Sequence, residues 1–115
     1  MLRDRQYIGI DLGTSAVKLL LMDGDGTVKN VASQEYPLYF PKPGWSEQNP
    51  RDWWEAVKQG MRALMAPFDA SRVAGISFGG QMHGLVMLDE KDQVIRPAIL
   101  WNDGRTAKQT DYLNQ

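Results

Sequence analysis

The chain contains no cysteine, which excludes disulfide staples and thiolate metal sites and fits a cytoplasmic protein without requiring one. Histidine occurs once, as His83, so a zinc site built from several imidazoles is excluded too. Neither sign of charge is in excess: 13 Lys and Arg stand against 14 Asp and Glu, a net charge of −1. Binding to a nucleic-acid backbone draws on a surplus of cationic side chains, so nucleic acid is not an expected partner. Long apolar runs are also missing. One of the best, Val17 to Met22, is interrupted by Lys18 and falls far short of the roughly 20 residues that span a bilayer, so no membrane partner is expected. The charged start Met1-Leu2-Arg3-Asp4-Arg5-Gln6 leads into a stretch broken by Gly9, Asp11 and Gly13, which is not the pattern of a secretory leader. What is present is the composition of a folded globular domain or part of one: 43% hydrophobic and 23% charged over 115 residues.

Tyr7 to Asp11 reads as a strand apolar enough to be buried on both faces, hence central in a sheet. Leu12-Gly13-Thr14-Ser15 is a tight turn, and Ala16 to Met22 a second strand antiparallel to the first. Asp23-Gly24-Asp25-Gly26 supplies hairpin-turn residues, and a third strand follows over Thr27 to Tyr36. The stretch from Tyr36 to Pro50 is rich in proline and unusually aromatic (Tyr36, Tyr39, Phe40, Trp45), so it is expected to pack over the sheet. Asn49, Pro50 and Asp52 announce a helix start. Trp53, Ala56, Val57, Gly60 and Leu64 then fall on one face until the helix ends near Pro67. Gly60 costs about 1 kcal/mol of helix propensity, which predicts close backbone approach to the sheet. Val73 to Phe78 is a fourth strand, parallel to the first after a helical crossover. Leu85 to Leu88 and Val94 to Ile95 form a hairpin, Ala98 to Trp101 is short and apolar, and Gly104 to Gln115 starts a weakly amphipathic helix. A three-strand antiparallel meander followed by an α-β crossover is the opening of an α/β domain of the ribonuclease-H-like, actin-like type with a mixed sheet. With no further strands in the sequence, its sheet edge is expected to stay open, and dimerisation is one way to cover it.

Three segments can carry chemistry. In the first, Asp11 to Ser15, a turn after a strand aims backbone N–H groups in one direction, Gly13 lets an anion approach, and Thr14 and Ser15 add hydroxyls. Asp11 could hold a hard cation directly or through water. By themselves these five residues better fit an ordinary hairpin with an Asx-type bond from Asp11. In the second, Gln81-Met82-His83-Gly84 lies just past the carboxyl end of a parallel strand, where open α/β sheets place ligands. There Gln81 and His83 can hydrogen-bond hydroxyls, or His83 can be a satisfied structural residue. In the third, Trp101-Asn102-Asp103-Gly104-Arg105, the polar residues could line a sugar pocket; equally, Asn102 could start a turn and Asp103 cap the last helix.

Taken together, Ile8-Gly9-Ile10-Asp11-Leu12-Gly13-Thr14-Ser15, Trp45-Ser46-Glu47-Gln48-Asn49-Pro50 with Trp53-Trp54, Gly80-Gln81-Met82-His83-Gly84, and Pro97 to Arg105 closely resemble the FGGY carbohydrate kinases. The Met82-His83 pair looks like the xylulokinase branch, since glycerol kinases carry an Arg-Glu pair there. The resemblance implies a two-domain kinase with actin-like halves, of which residues 1–115 are the N-terminal part of the first domain. It further implies transfer of phosphate from ATP, with Mg2+, to D-xylulose. Asp11 would organise Mg2+, Gly13, Thr14 and Ser15 would hold the β- and γ-phosphates, and Met82 and His83 would line the sugar site. Gln81, Asn102 and Asp103 are further sugar-site candidates. The family's catalytic Asp and adenosine pocket belong to later segments and map onto no residue here, so the 115 residues alone are expected to be inactive. Ribulose or another ketose, and glycerol or another polyol, are alternative substrates. A non-catalytic sugar- or phosphate-binding half domain and a heat-shock-like ATPase are the readings outside the sugar kinases.

Overall fold

The computed structural model describes residues 4–115; the sequence reading of Met1-Leu2-Arg3 lies outside the described residues. The chain divides into two compact units, one formed by the residues up to Tyr36 with Arg51–Gln81, the other by Pro37–Pro50 with Met82–Gln115.

The first unit is built on β1 (Gln6–Leu12), β2 (Ala16–Asp23), β3 (Val28–Glu35) and β5 (Val73–Gly80), in the order β3-β2-β1-β5. Both hairpins of the meander are antiparallel, and β5 returns parallel to β1. The two-residue side-chain period of a strand decides what each face carries. On β1 and β2, Ile8, Ile10, Val17, Leu19 and Leu21 are buried. They form one core with Ala56 and Leu64 of α1 (Pro50–Met65), while Trp53, Val57 and Met61 pack at its margin. Pro50 opens the helix as expected, Asp52 lies in its first turn and Arg62 in its last. Asn30 of β3 donates its side-chain N–H to the Leu64 carbonyl at 2.9 Å, satisfying one of the acceptors that a helix end leaves unpaired.

Gly60 meets the sheet as its place in the sequence predicts. A Cβ there would lie 2.5 Å from Leu19 Cδ1 and 3.6 Å from Gln34 Cγ. The expectation that β1 is buried on both faces is only half met. It is central in the hydrogen-bonded order, but Asp11 is exposed and Tyr7 and Gly9 are half-buried, because no described element of this unit covers the face opposite α1. The open edge is present at β5: Ile76 and Phe78 stand in register with buried Ile8 and Ile10 yet are 50% and 74% exposed.

In the second unit, β4 (Glu47–Gln48) pairs antiparallel with β6 (Ala98–Ile99). Single bridges extend this pair on both sides, from Tyr39 to Glu47 and from Leu85 to Ile99. The expected hairpin closes through a Leu88–Val94 bridge, and the Asp89 carboxylate accepts the N–H groups of Lys91 and Gln93 across its turn. The pairing is too short to make strands. The final helix, α2 (Ala107–Leu113), buries no residue, in keeping with its weak amphipathicity. Of the loop aromatics, Tyr36 joins the core of the first unit, whereas Tyr39 and Phe40 are 48% and 66% exposed.

Gly60→Ala gains about 1 kcal/mol of helix propensity but forces a methyl into Leu19, and overpacking a closed core costs about 1–3 kcal/mol. Urea unfolding is therefore expected to show a net loss of about 1 kcal/mol. In a Leu19→Ala background, where the obstructing methyl is gone, the same change should become stabilising.

Candidate functional site

The turn between β1 and β2 is held from three directions. Leu12 pairs with Val17, and Gly13 donates its N–H to the Ala16 carbonyl at 2.9 Å, closing the loop. The Tyr36 hydroxyl donates to the Gly13 carbonyl, and the Tyr36 N–H donates to the Ser15 carbonyl at 3.2 Å. The Gly13 amide is thus spent inside the turn and adds nothing to an anion nest. Gly13 contributes instead through its missing side chain, since a Cβ would sit 3.0 Å from the Ala16 carbonyl. Asp11 projects from the end of β1, exposed, in register with Lys18 on one side and Gly79 on the other.

The end of β5 is fastened to the same turn. Gln81 donates its N–H to the Leu12 carbonyl at 2.8 Å, and a Cβ on Gly80 would lie 2.8 Å from that oxygen. Gly80 therefore permits the approach that places half-buried Gln81 beside Leu12 and Gly13. Among the described residues no group of three or more His, Asp or Glu could hold a metal. A lone exposed carboxylate such as Asp11 suits magnesium, which keeps several waters and phosphate oxygens and needs only one or two protein ligands.

At Met82 the chain re-enters the second unit. Met82 is 72% exposed and His83 is also exposed. His83 has φ 61°, a left-handed conformation that costs a non-glycine residue on the order of 1–3 kcal/mol and persists only where the surroundings impose it. Two residues on, Leu85 exchanges both backbone hydrogen bonds with Ile99, at 2.8 and 3.1 Å. Asn102 is exposed in the turn after β6.

Asp103, the last of the polar candidates for the sugar site, is turned away from solvent. Its side chain is 3% exposed, and its carboxylate accepts the Ser46 N–H at 2.7 Å, the Arg105 N–H at 2.9 Å and the Arg105 guanidinium at 2.6–3.0 Å. The Arg105 hydrogen bonds hold its carboxyl well below the usual carboxylate range. Arg105 also reaches Glu47 at 2.7 Å, where Arg96 joins it at 2.5 Å, and lies 3.7 Å over the Trp45 ring, with Lys42 also stacked on that ring at 4.6 Å. The final helix has Thr106, not Asp103, at its N-cap. Sequence reasoning quoted Glu47 and Arg105 without giving them a role, because charged residues in a loop carry no periodicity that marks them as buried.

Burial, reinforced by the negative charge of Asp11, pushes the Tyr36 phenol up to about 12. A raised folded-state value means that the contribution is complete below the unfolded value near 10 and is lost as pH climbs from 10 towards 12. Absorbance titration is expected to show one of the four tyrosines ionising near 12, and Tyr36→Phe should remove that component. The same substitution should cost about 1 kcal/mol at neutral pH through the lost hydrogen bond to Gly13.

Comparison with known proteins follows the same geometry. A xylulose kinase from Klebsiella pneumoniae is 48% identical over 107 residues, covering 93% of this chain and 22% of the relative. The crystal structure of a xylulose kinase from Rhodospirillum rubrum superposes with a TM-score of 0.90 at 34% identity, over 96% of this chain and 23% of that one. A gluconate kinase from Lactobacillus acidophilus gives a TM-score of 0.86 at 34% identity, over 96% and 22%. The chain thus spans about a fifth of the length of the relatives it matches. The profile described as the N-terminal domain of the FGGY family of carbohydrate kinases matches residues 6–115, so the chain belongs to that family.

Proposed function

We propose that this chain is the N-terminal segment of a cytoplasmic, ATP-dependent kinase that converts D-xylulose to xylulose 5-phosphate. The observation that carries this reading is the Gln81-Met82-His83 segment at the carboxyl end of β5, in a chain 48% identical to a xylulose kinase. Thr14 and Ser15 offer hydroxyl donors to the β- and γ-phosphates, and Gly13 leaves the space for them. Asp11 would hold Mg2+ directly or through water, and the ion when bound would neutralise phosphate charge. Met82 supplies an apolar wall to the ketose, while His83, Gln81 and Asn102 hydrogen-bond its hydroxyls.

In the reaction a sugar hydroxyl oxygen bonds to the γ-phosphorus as the bond to the β-phosphate oxygen breaks. ADP leaves, and the hydroxyl proton passes to a base. Positioning and charge neutralisation account for most of such catalysis. No residue of this segment is assigned as the base, and none as a ligand of adenosine. A ketose substrate is favoured over glycerol by Met82-His83, which puts an apolar and a neutral polar group where an Arg-Glu pair would suit a short triol.

Two outcomes test the reading. In a kinase of the relatives' length carrying this segment, His83→Ala should raise KM for D-xylulose at least about tenfold, the loss expected for one or two buried hydrogen bonds. KM for ATP should stay within about twofold, and equal rises in both would sink the assignment. The purified 115-residue chain should release no ADP in response to xylulose, as measured by a coupled assay.

A further inference from the structure

The ion cluster of the second unit lies in the ladder that ends at Leu85, close in sequence to His83. Four residues form one continuous row of antiparallel pairs: Tyr39 with Glu47, Glu47 with Ile99, and Ile99 with Leu85. Leu85 is two residues beyond His83. Glu47 is 7% exposed, and its neighbours Ser46 and Gln48 are 2% and 0% exposed. This stretch therefore has no apolar side chain of its own to hold it in place. What holds it is charge: Arg105 and Arg96 on Glu47, and the Asp103 carboxylate on the Ser46 N–H. A second tie runs through the backbone, where the Leu100 N–H donates to the Ser46 carbonyl at 3.0 Å and Gly104 to Gly44 at 2.7 Å.

We propose that Arg105, clamped by Asp103 and Glu47, is a positioning residue for sugar recognition: it fixes the β4–β6 ladder and thereby holds His83 in its left-handed conformation. Asp103 belongs to this clamp and does not touch the sugar. Arginine suits the task because its planar fork meets two carboxylates at fixed angles while its face stacks on Trp45. Lysine keeps the charge but can do neither. Breaking a buried, paired cluster leaves a charge without its partner, so the ladder must shift to rehydrate it, and the bridge that imposes the conformation of His83 shifts with it. The proposal rests on the reading of His83 as a sugar ligand.

The experiment uses Arg105→Lys, Glu47→Gln, His83→Ala and the His83→Ala/Arg105→Lys double variant in the full-length kinase. Both KM values are measured, and the His83 imidazole C–H signal is followed by NMR, assigned by its loss in His83→Ala. Arg105→Lys is expected to raise KM for D-xylulose about tenfold, leave KM for ATP within twofold, and displace or split the His83 signal. The double variant should be no worse than His83→Ala, because the clamp acts through His83. An unchanged His83 signal in Arg105→Lys, equal rises in both KM values, or additive losses in the double variant would overturn the proposal. If His83→Ala leaves the ketose KM unchanged while Arg105→Lys still moves the His83 signal, the sugar assignment falls and the positioning stands. Should Arg105→Lys fail to fold, the isosteric Glu47→Gln decides on the same readouts.

Discussion

The parallel pairing of β1 with β5 is the constraint from which the first unit follows. It runs from Gln6 with Val73 to Leu12 with Gly80, and one more hydrogen bond carries it to Gln81. For that pairing to form, the crossover must return the chain to the level at which β1 began. The 16 residues of α1 climb about 24 Å, close to the roughly 26 Å of an eight-residue strand, so helix and strand lengths match. The last step requires a residue without Cβ at position 80. The turn carrying Asp11 and the strand end carrying Gln81 are neighbours because of this register, and so two segments some 70 residues apart in sequence meet.

The second unit solves a different problem. Its short strands offer few apolar contacts: Ala98 and Leu100 are buried, but Ser46, Glu47 and Gln48 are buried as well. Hydrogen bonding and ion pairing replace packing there. Such clusters contribute less net stability than an apolar core of equal volume, but they restrict geometry tightly, because each hydrogen bond has a preferred direction. A ligand-binding loop next to a directional scaffold gains orientation from it, whereas one on a purely apolar support can slide.

The legibility of the sequence divides along the same line. The meander, α1 and β5 were readable because the apolar residues of β1, β2 and α1 recur at the period of their element, and because Gly60 stands out as a glycine inside a helix that something must explain. The tight turn at Gly13 was readable, though its internal bonding was not. The amide expected to face an anion bonds within the loop, which no composition rule reveals. β4 was invisible. A two-residue strand of Glu and Gln has no hydrophobic pattern, and its burial depends on Arg96 and Arg105, nearly 50 residues and more away. The surroundings of Asp103 were hidden for the same reason: as an isolated carboxylate it could be read as a ligand residue or a cap, and its bonding to Ser46 and Arg105 is seen only in the fold.

The bare flank of β5 matters while the polypeptide is being made. Phe78 and Ile76 stand uncovered beside a strand whose outer backbone groups have no partner strand among the described residues. At translation rates of about 5–20 residues per second, any longer product opening with this segment would present that surface for about 0.05–0.2 s per residue still to be made before a later strand emerged. During that interval the segment is a template for stray β-pairing, and holdase chaperones would have an obvious place to bind.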